Sequence, residues 1–420
     1  ARSLGACCAT RRLPSSNRHA LLCSQALSLC KTVGHATVFS FWVPTNVQAK
    51  MQYQLISQQA ELEQYLASLA DVPLAIDTEF VRTRTYYPQL GLFQIYDGER
   101  LALLDPLTLD LSGLWQRLGR AGQIAILHAS GEDLELIQHQ AGHLPNQMHD
   151  TQLATAFLGY GVSVGFGALV KEFLGVELEK DQARTDWLAR PLTARQLEYA
   201  AADVFYLMPL YEKVMARLHE SGKFAWFEQE CQNHSARKTQ GSDPRQAYLE
   251  IINAWQLGRR ELAILRELAA WRQQEAVRRD LALNFVVKEL HLFKVAERRP
   301  TSLRDLNELG LAPIEIKIHG KRMLDIVAAA QQSDPEGWPE PIRRLVDFPQ
   351  YKAELKRIKA MVEEKAKASN IPPELVASKK IIHQYFTWSW RMSAEERARA
   401  DKPMLLQGWR HELVGHLLAQ

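Results

Sequence analysis

The chain has 420 residues, 46% of them apolar, and 51 basic against 48 acidic side chains give a formal net charge of +3. This composition excludes a disordered or collagen-like polymer, and the length suffices for two to four domains with their own cores. No apolar run reaches the ~18 residues of a membrane-spanning helix; the best stretch, 33–43, is short and carries His35.

The first 50 residues stand apart, with six basic residues, no acid, and four of the five cysteines (Cys7, Cys8, Cys23 and Cys30). They fit an organellar transit peptide, a disordered tail, or upstream sequence that is not part of the natural protein. The normally patterned segment opening at Met51 favours the last, so 1–50 is set aside in reading the fold. Beyond it Cys231 is the only cysteine. The body therefore uses neither a disulfide framework nor a cysteine zinc site, which predicts a reducing, cytoplasmic setting.

From Met51 strand-like and helix-like pieces alternate. Helical spacing covers 58–69, a buried strand 73–80, and two more strands 91–96 and 101–104, with Asp97-Gly98 between them as a hairpin signal. A helix near 111–119, a strand at 124–127 and a helix at 132–140 follow. Ser130-Gly131-Glu132-Asp133 has nearly the capping-box spacing, and Thr193-Ala194-Arg195-Gln196 has it in full at the start of a further helix. Residues 51–220 thus predict an α/β domain, one mixed sheet flanked by helices.

After about residue 220 the strand signals vanish. The polar stretch 234–244 contains Gly and Pro, so 221–243 is expected to be a linker to two all-helical segments, 244–332 and 345–420. Leu262, Leu265, Leu268 and Trp271 form the apolar stripe of the first, and Leu355, Ile358 and Val362 that of the second. Each reads as one small domain. Charge divides along the same line: residues 51–220 hold 12 basic and 22 acidic side chains, and 221–420 hold 33 and 26. A carboxylate site followed by a surface for a polyanion accounts for this, as do solvated helix faces alone.

Asp77-Thr78-Glu79 lies on the strand 73–80, where a period of two puts both acids on one face, about 5–7 Å apart. Two such charges repel by roughly 4 kcal/mol at ~4 Å and an effective dielectric of ~20, so a cation or donors belong between them unless the strand end is solvated. Tyr199 and Asp203 are one turn apart on the helix after Thr193, beside the stripe of Leu197, Ala201, Val204 and Tyr211, and can address one small site. A half-buried tyrosine beside a solvated acid is the competing reading. Asp133 sits in a first helical turn, where it is either a site carboxylate or the capping partner of Ser130. Asp150, in His149-Asp150-Thr151, has the position of an ordinary N-cap.

An early Asp-x-Glu strand, a strand-to-helix Asp and a Tyr-x-x-x-Asp helix, in that order, resemble the tyrosine variant of the DEDD exonucleases of the ribonuclease H-like superfamily. The strings AIDTEFVRTRTYYPQLGLFQIYDG, ILHASGEDLELI and RTDWLARPLTARQLEYAAADVFYL carry the likeness from about 51 to 218. Segments 244–332 and 345–420, with PPELVASKK and LLQGWRHELVG, resemble a tandem pair of HRDC domains.

This resemblance implies a ribonuclease H-like exonuclease domain followed by two all-α HRDC domains. It implies a 3′-5′ exoribonuclease that trims tRNA precursors and other small structured RNAs, releasing nucleoside 5′-monophosphates. Asp77, Glu79, Asp133 and Asp203 would hold two divalent cations, Mg²⁺ or Mn²⁺, whose all-oxygen ligand preference they meet. Tyr199 would orient or help deprotonate the attacking water. Thr78, Phe80 and His128 flank the acids and are candidate contacts to the terminal nucleotide, with packing as the alternative. Lys180 and Arg184 are candidate phosphate contacts, with surface solvation as the alternative. The partner implied is RNA with a single-stranded 3′ end, with no membrane and no obligate protein partner. A DNA exonuclease and a non-catalytic RNA-binding module are the competing readings, since none of these residues distinguishes RNA from DNA.

Overall fold

The computed structural model describes residues 51–179, 184–239, 241 and 243–418; the leader and Lys180 lie outside them. Six strands form one mixed sheet in the order β1-β4-β3-β2-β5-β6. They are β1 (Gln54–Ile56), β2 (Leu74–Val81), β3 (Gln89–Tyr96), β4 (Leu101–Leu104), β5 (Ile124–Leu127) and β6 (Gln147–Asp150). β2–β3 and β3–β4 are antiparallel, and the remaining pairs are parallel. Central β2 and β3 are covered on both faces, so most of their residues are buried, the polar Thr78 and Glu79 of β2 among them. Edge strands β1 and β6 are not legible in the sequence: QLI and QMHD are too short and too polar to show a period.

Around the sheet lie α1 (Gln59–Ser68), α2 (Ser112–Leu118), α3 (Gly131–Ala141), α4 (Thr151–Phe157), α5 (Phe166–Leu174), α6 (Ala194–Glu220) and α7 (Phe224–Thr239). The Thr193–Gln196 capping box forms as expected and starts α6, which packs across β2, β3 and β4. The expected linker 221–243 is corrected. Most of it is α7, which packs on β6, α3 and α4 and buries Phe227 and Cys231. Its apolar residues lie in the first half, and the polar residues of its second half are partly or fully exposed, which is why it reads as a linker.

The first helical segment comprises α8 (Arg259–Arg279), α9 (Leu283–Val286), α10 (Glu289–Arg298), α11 (Leu303–Glu308) and α12 (Pro313–Gln332). Leu262, Leu265, Leu268 and Trp271 are buried in its own core, against which Tyr86 of the sheet domain also packs. The second comprises α13 (Tyr351–Ala368), α14 (Pro373–Ala377), α15 (Lys379–Phe386), α16 (Ala394–Arg399) and α17 (Gly408–Leu413). Its apolar core is continuous with that of the sheet domain. Ile358, Val362, Phe386 and Trp409 belong to the same apolar cluster as the sheet. Trp409 lies 5.1 Å from the ring of Phe157 and 5.7 Å from that of Trp226. Beside it, buried Arg410 pairs with buried Glu230 of α7. Among the described residues, no helix is long and apolar enough to cross a membrane.

Candidate active site

β2 and α6 bring the first acids together. Asp77, Glu79 and Asp203 each place an oxygen within 4.8 Å of the others. Glu79 is buried, and Asp77 and Asp203 are partly so. A register shift between Glu79 and Phe80 marks a bulge at the end of the β2–β3 pairing, a common device for re-aiming side chains beside a site. Opposite it Gly91 is required by close approach, since a Cβ there would stand 2.5 Å from the Trp187 carbonyl oxygen.

Asp133 joins this group from α3 without being one of its three mutually close members. Its Oδ1 accepts a 2.5 Å hydrogen bond from Thr78 Oγ1, and its charge acts on Asp77 and Glu79. The capping alternative for Asp133 fails, because Ser130 makes no side-chain cap. Ser130 turns instead to Asp150. Asp150 Oδ2 accepts from the Ser130 backbone N–H and hydroxyl, both at 2.8 Å, and Oδ1 accepts from Ala129 N at 3.1 Å and Gln152 N at 2.8 Å. Asp150 is the N-cap of α4, as its position suggests, and also the clasp of the β5–α3 turn, where Ala129 has a φ of +57°.

Burial first, and crowded negative charge second, set the protonation of the site. Burial, then the charges of Asp133, Asp203 and Glu79, hold the Asp77 carboxyl well above the usual range. Burial and the charges of Asp203 and Asp133 push Glu79 up to about 9. Burial raises Asp203 to about 7 against an opposing hydrogen bond from Tyr199. Asp133 rises by burial to about 6, the bond from Thr78 pulling the other way. Carboxylates so placed ionise together only when positive charge joins them. The donor set is all oxygen, the preference of hard divalent cations. Tyr199 stays a phenol, because burial and then the Asp203, Glu79 and Asp77 charges raise it.

The other expected contacts fare differently. Thr78 is buried, and its hydroxyl serves Asp133. Both ring nitrogens of His128 are engaged inside the fold, Nδ1 with Thr151 Oγ1 at 3.0 Å and Nε2 with the Val164 carbonyl at 3.2 Å. Phe80 is half-buried against the core, and Arg184 is exposed. Residues missed in the sequence are structural partners of the site. Arg190 donates to both oxygens of Asp105 at 2.7 Å and to the carbonyls of Gly91 at 2.6 Å and Trp187 at 2.9 Å. That fork seats Trp187 6.3 Å from the Tyr199 ring. The two partners are 85 residues apart, so no local pattern announces the pair.

Residues 53–219, the sheet and the helices that flank it, match the family of 3′-5′ exonucleases. Residues 261–327 match the HRDC domain, and 349–418 the C-terminal HRDC domain of ribonuclease D. Ribonuclease D of Cronobacter turicensis is 48% identical over 346 residues, 82% of this chain and 93% of that protein. Ribonuclease D of Psychromonas ingrahamii is 44% identical over 367 residues, 87% and 99% of the two chains. The crystal structure of Escherichia coli RNase D, an exoribonuclease involved in structured RNA processing, superposes with a TM-score of 0.83 at 44% identity, covering 88% of this chain and 98% of that one. The chain belongs to the ribonuclease D family and is a 3′-5′ exoribonuclease with HRDC domains.

Proposed function

We propose that this exoribonuclease trims the 3′ ends of tRNA precursors and other small structured RNAs, releasing nucleoside 5′-monophosphates in a reaction dependent on two divalent cations, Mg²⁺ or Mn²⁺. The convergence of Asp77, Glu79 and Asp203 within 4.8 Å carries this reading. Asp77 and Glu79 from β2, Asp203 from α6 and Asp133 from α3 would be the ligands. Bound there, such cations supply Lewis-acid stabilisation to the attacking and leaving oxygens of an in-line displacement at phosphorus.

The protein's share is placement. Thr78 fixes the Asp133 carboxylate. Tyr199, one turn from Asp203 on α6, orients the attacking water or helps to deprotonate it. The half-buried face of Phe80 is available to stack on a terminal base, and exposed Arg184 can meet a phosphate. The involvement of Escherichia coli RNase D in structured RNA processing supports the substrate class.

The test is mass analysis of products from a 3′-tailed tRNA precursor with Mg²⁺, beside a DNA oligonucleotide of the same tail sequence. Successive loss of nucleoside 5′-monophosphates from the RNA, abolished by EDTA, is expected. Preferential digestion of the DNA, or nucleoside 3′-monophosphate products, would overturn the reading.

A further inference from the structure

The exit from catalytic strand β2 is not free. Residues 82–88 run from it to β3 and are gripped by the first HRDC domain. Asp280, the C-cap of α8, accepts at Oδ1 from the backbone N–H groups of Tyr86 at 3.1 Å and Tyr87 at 3.0 Å. Ala282 donates its N–H to the Arg84 carbonyl at 2.8 Å. Tyr86 packs at the edge of that domain's core, and the Arg84 guanidinium lies 5.2 Å over the ring of Phe285. On its other side the loop is tied to α3, the helix of Asp133: Arg82 pairs with Glu135 at 2.7 Å, and Tyr87 stacks on His139 at 3.5 Å.

Arg84 is exposed and, among the described residues, has no carboxylate partner. It stands five residues after Glu79, within about 17 Å of it by chain length. An exposed guanidinium without a carboxylate partner among the described residues, on the loop that leaves the strand of Asp77 and Glu79, is suited to bidentate phosphate contact. An exposed arginine in an unbraced loop loses rotamer and backbone freedom on binding, and bracing it beforehand removes that cost.

We propose that Asp280 is a positioning residue of the exoribonuclease, holding loop 82–88 so that Arg84 is presented to a phosphate of the RNA tail entering the carboxylate site. This rests on the RNA-degrading activity of the family. It gives the first HRDC domain a local task at the catalytic rim, in addition to any contact with the body of the RNA.

Asp280 has a φ of +47°, which Gly and Asn adopt readily. D280G therefore removes the acceptor without backbone strain, and D280N keeps an oxygen for the same two N–H groups. With full-length protein and a 3′-tailed RNA, D280G and R84Q should each raise KM about tenfold with kcat within about twofold. D280N should restore KM most of the way, and D280G/R84Q should be no worse than R84Q. Fluorescence anisotropy of the same RNA in EDTA should give the same order of affinities, so the proposal is tested even if the chain fails to digest RNA. Wild-type KM and affinity in D280G or R84Q, equal impairment of D280N and D280G, or multiplicative effects in the double variant would each overturn it.

Discussion

Ser130 donates both its backbone N–H and its hydroxyl to Oδ2 of Asp150, each at 2.8 Å. Through this contact a residue of β6 holds the turn that starts α3, and α3 holds Asp133. A serine in N-cap position thus gives up capping its own helix to anchor it on a neighbouring strand.

Replacing Asp150 by Asn turns one of its acceptor oxygens into a donor facing other donors. A loss of about 2–4 kcal/mol is expected, measured by urea unfolding. At permissive temperature kcat should fall more than KM rises, because Asp133 shifts. A D150N protein of wild-type stability and kcat would show that the turn is held by other means.

Asp203→Asn should lower kcat by about 10³-fold or more, some 4 kcal/mol of transition-state stabilisation, with RNA affinity in EDTA little changed. Tyr199→Phe removes only the orienting hydroxyl and should cost about 10²-fold. Single-turnover digestion separates these effects from product release. Digestion by D203N at the wild-type rate would sink the site assignment.

With Glu79 raised to about 9 and Asp203 to about 7, the cation-free site carries protons at neutral pH that a divalent cation must displace. Apparent Mn²⁺ affinity should therefore rise with pH between about 6 and 9, with proton release on binding. Calorimetry in two buffers of different ionisation enthalpy counts those protons. A buffer-independent heat would contradict the expectation.

His149 is buried, its Nδ1 2.8 Å from the Tyr211 hydroxyl; burial, then the His219 charge, lowers it to about 4. A histidine depressed in the fold binds its proton more tightly when unfolded, at its ordinary value of about 6.5. Its effect is absent above pH ~6.5 and grows as pH falls toward ~4, to a loss of order 3 kcal/mol. H149Q should remove this component. The test is the wild-type minus H149Q difference in unfolding free energy, which should slope only within that window.

Glu230 and Arg410 join α7 to the second HRDC domain. Burial alone would raise the Glu230 carboxyl, but the hydrogen bond and charge of Arg410, with Arg237 and the indole of Trp409, bring it below its ordinary value. Glu230→Ala strands a buried guanidinium, for which about 3–5 kcal/mol is expected. Since the apolar cluster runs from the sheet into α13–α17, hydrogen exchange should accelerate in both regions while α8–α12 keep their protection. Loosening confined to α13–α17 would show that the two parts do not share a core energetically.

The strand of Asp77 and Glu79, the helix of Tyr199 and Asp203, and the two helical segments are legible in the order of residues, because each rests on a local period: alternation in a strand, one turn in a helix, a capping box at residues three apart. The same locality explains the failures. β1 and β6 are strands only because neighbours supply their hydrogen bonds. Ser130-x-x-Asp133 satisfies the capping rule in spacing and breaks it in space, since Asp150, 20 residues on, competes for the serine. His128 looks available to substrate until the fold engages both its nitrogens.

Residue order alone determined which side chains could carry the chemistry and on which kind of element each would sit. Only the tertiary structure decided that Asp77, Glu79 and Asp203 meet, that Asp150 and Arg190 support the turns around them, and that one HRDC domain merges with the catalytic core while the other grips the rim loop. Periodicity is set by dihedral preferences of neighbouring residues, whereas these contacts depend on burial and pairing between segments tens to hundreds of residues apart.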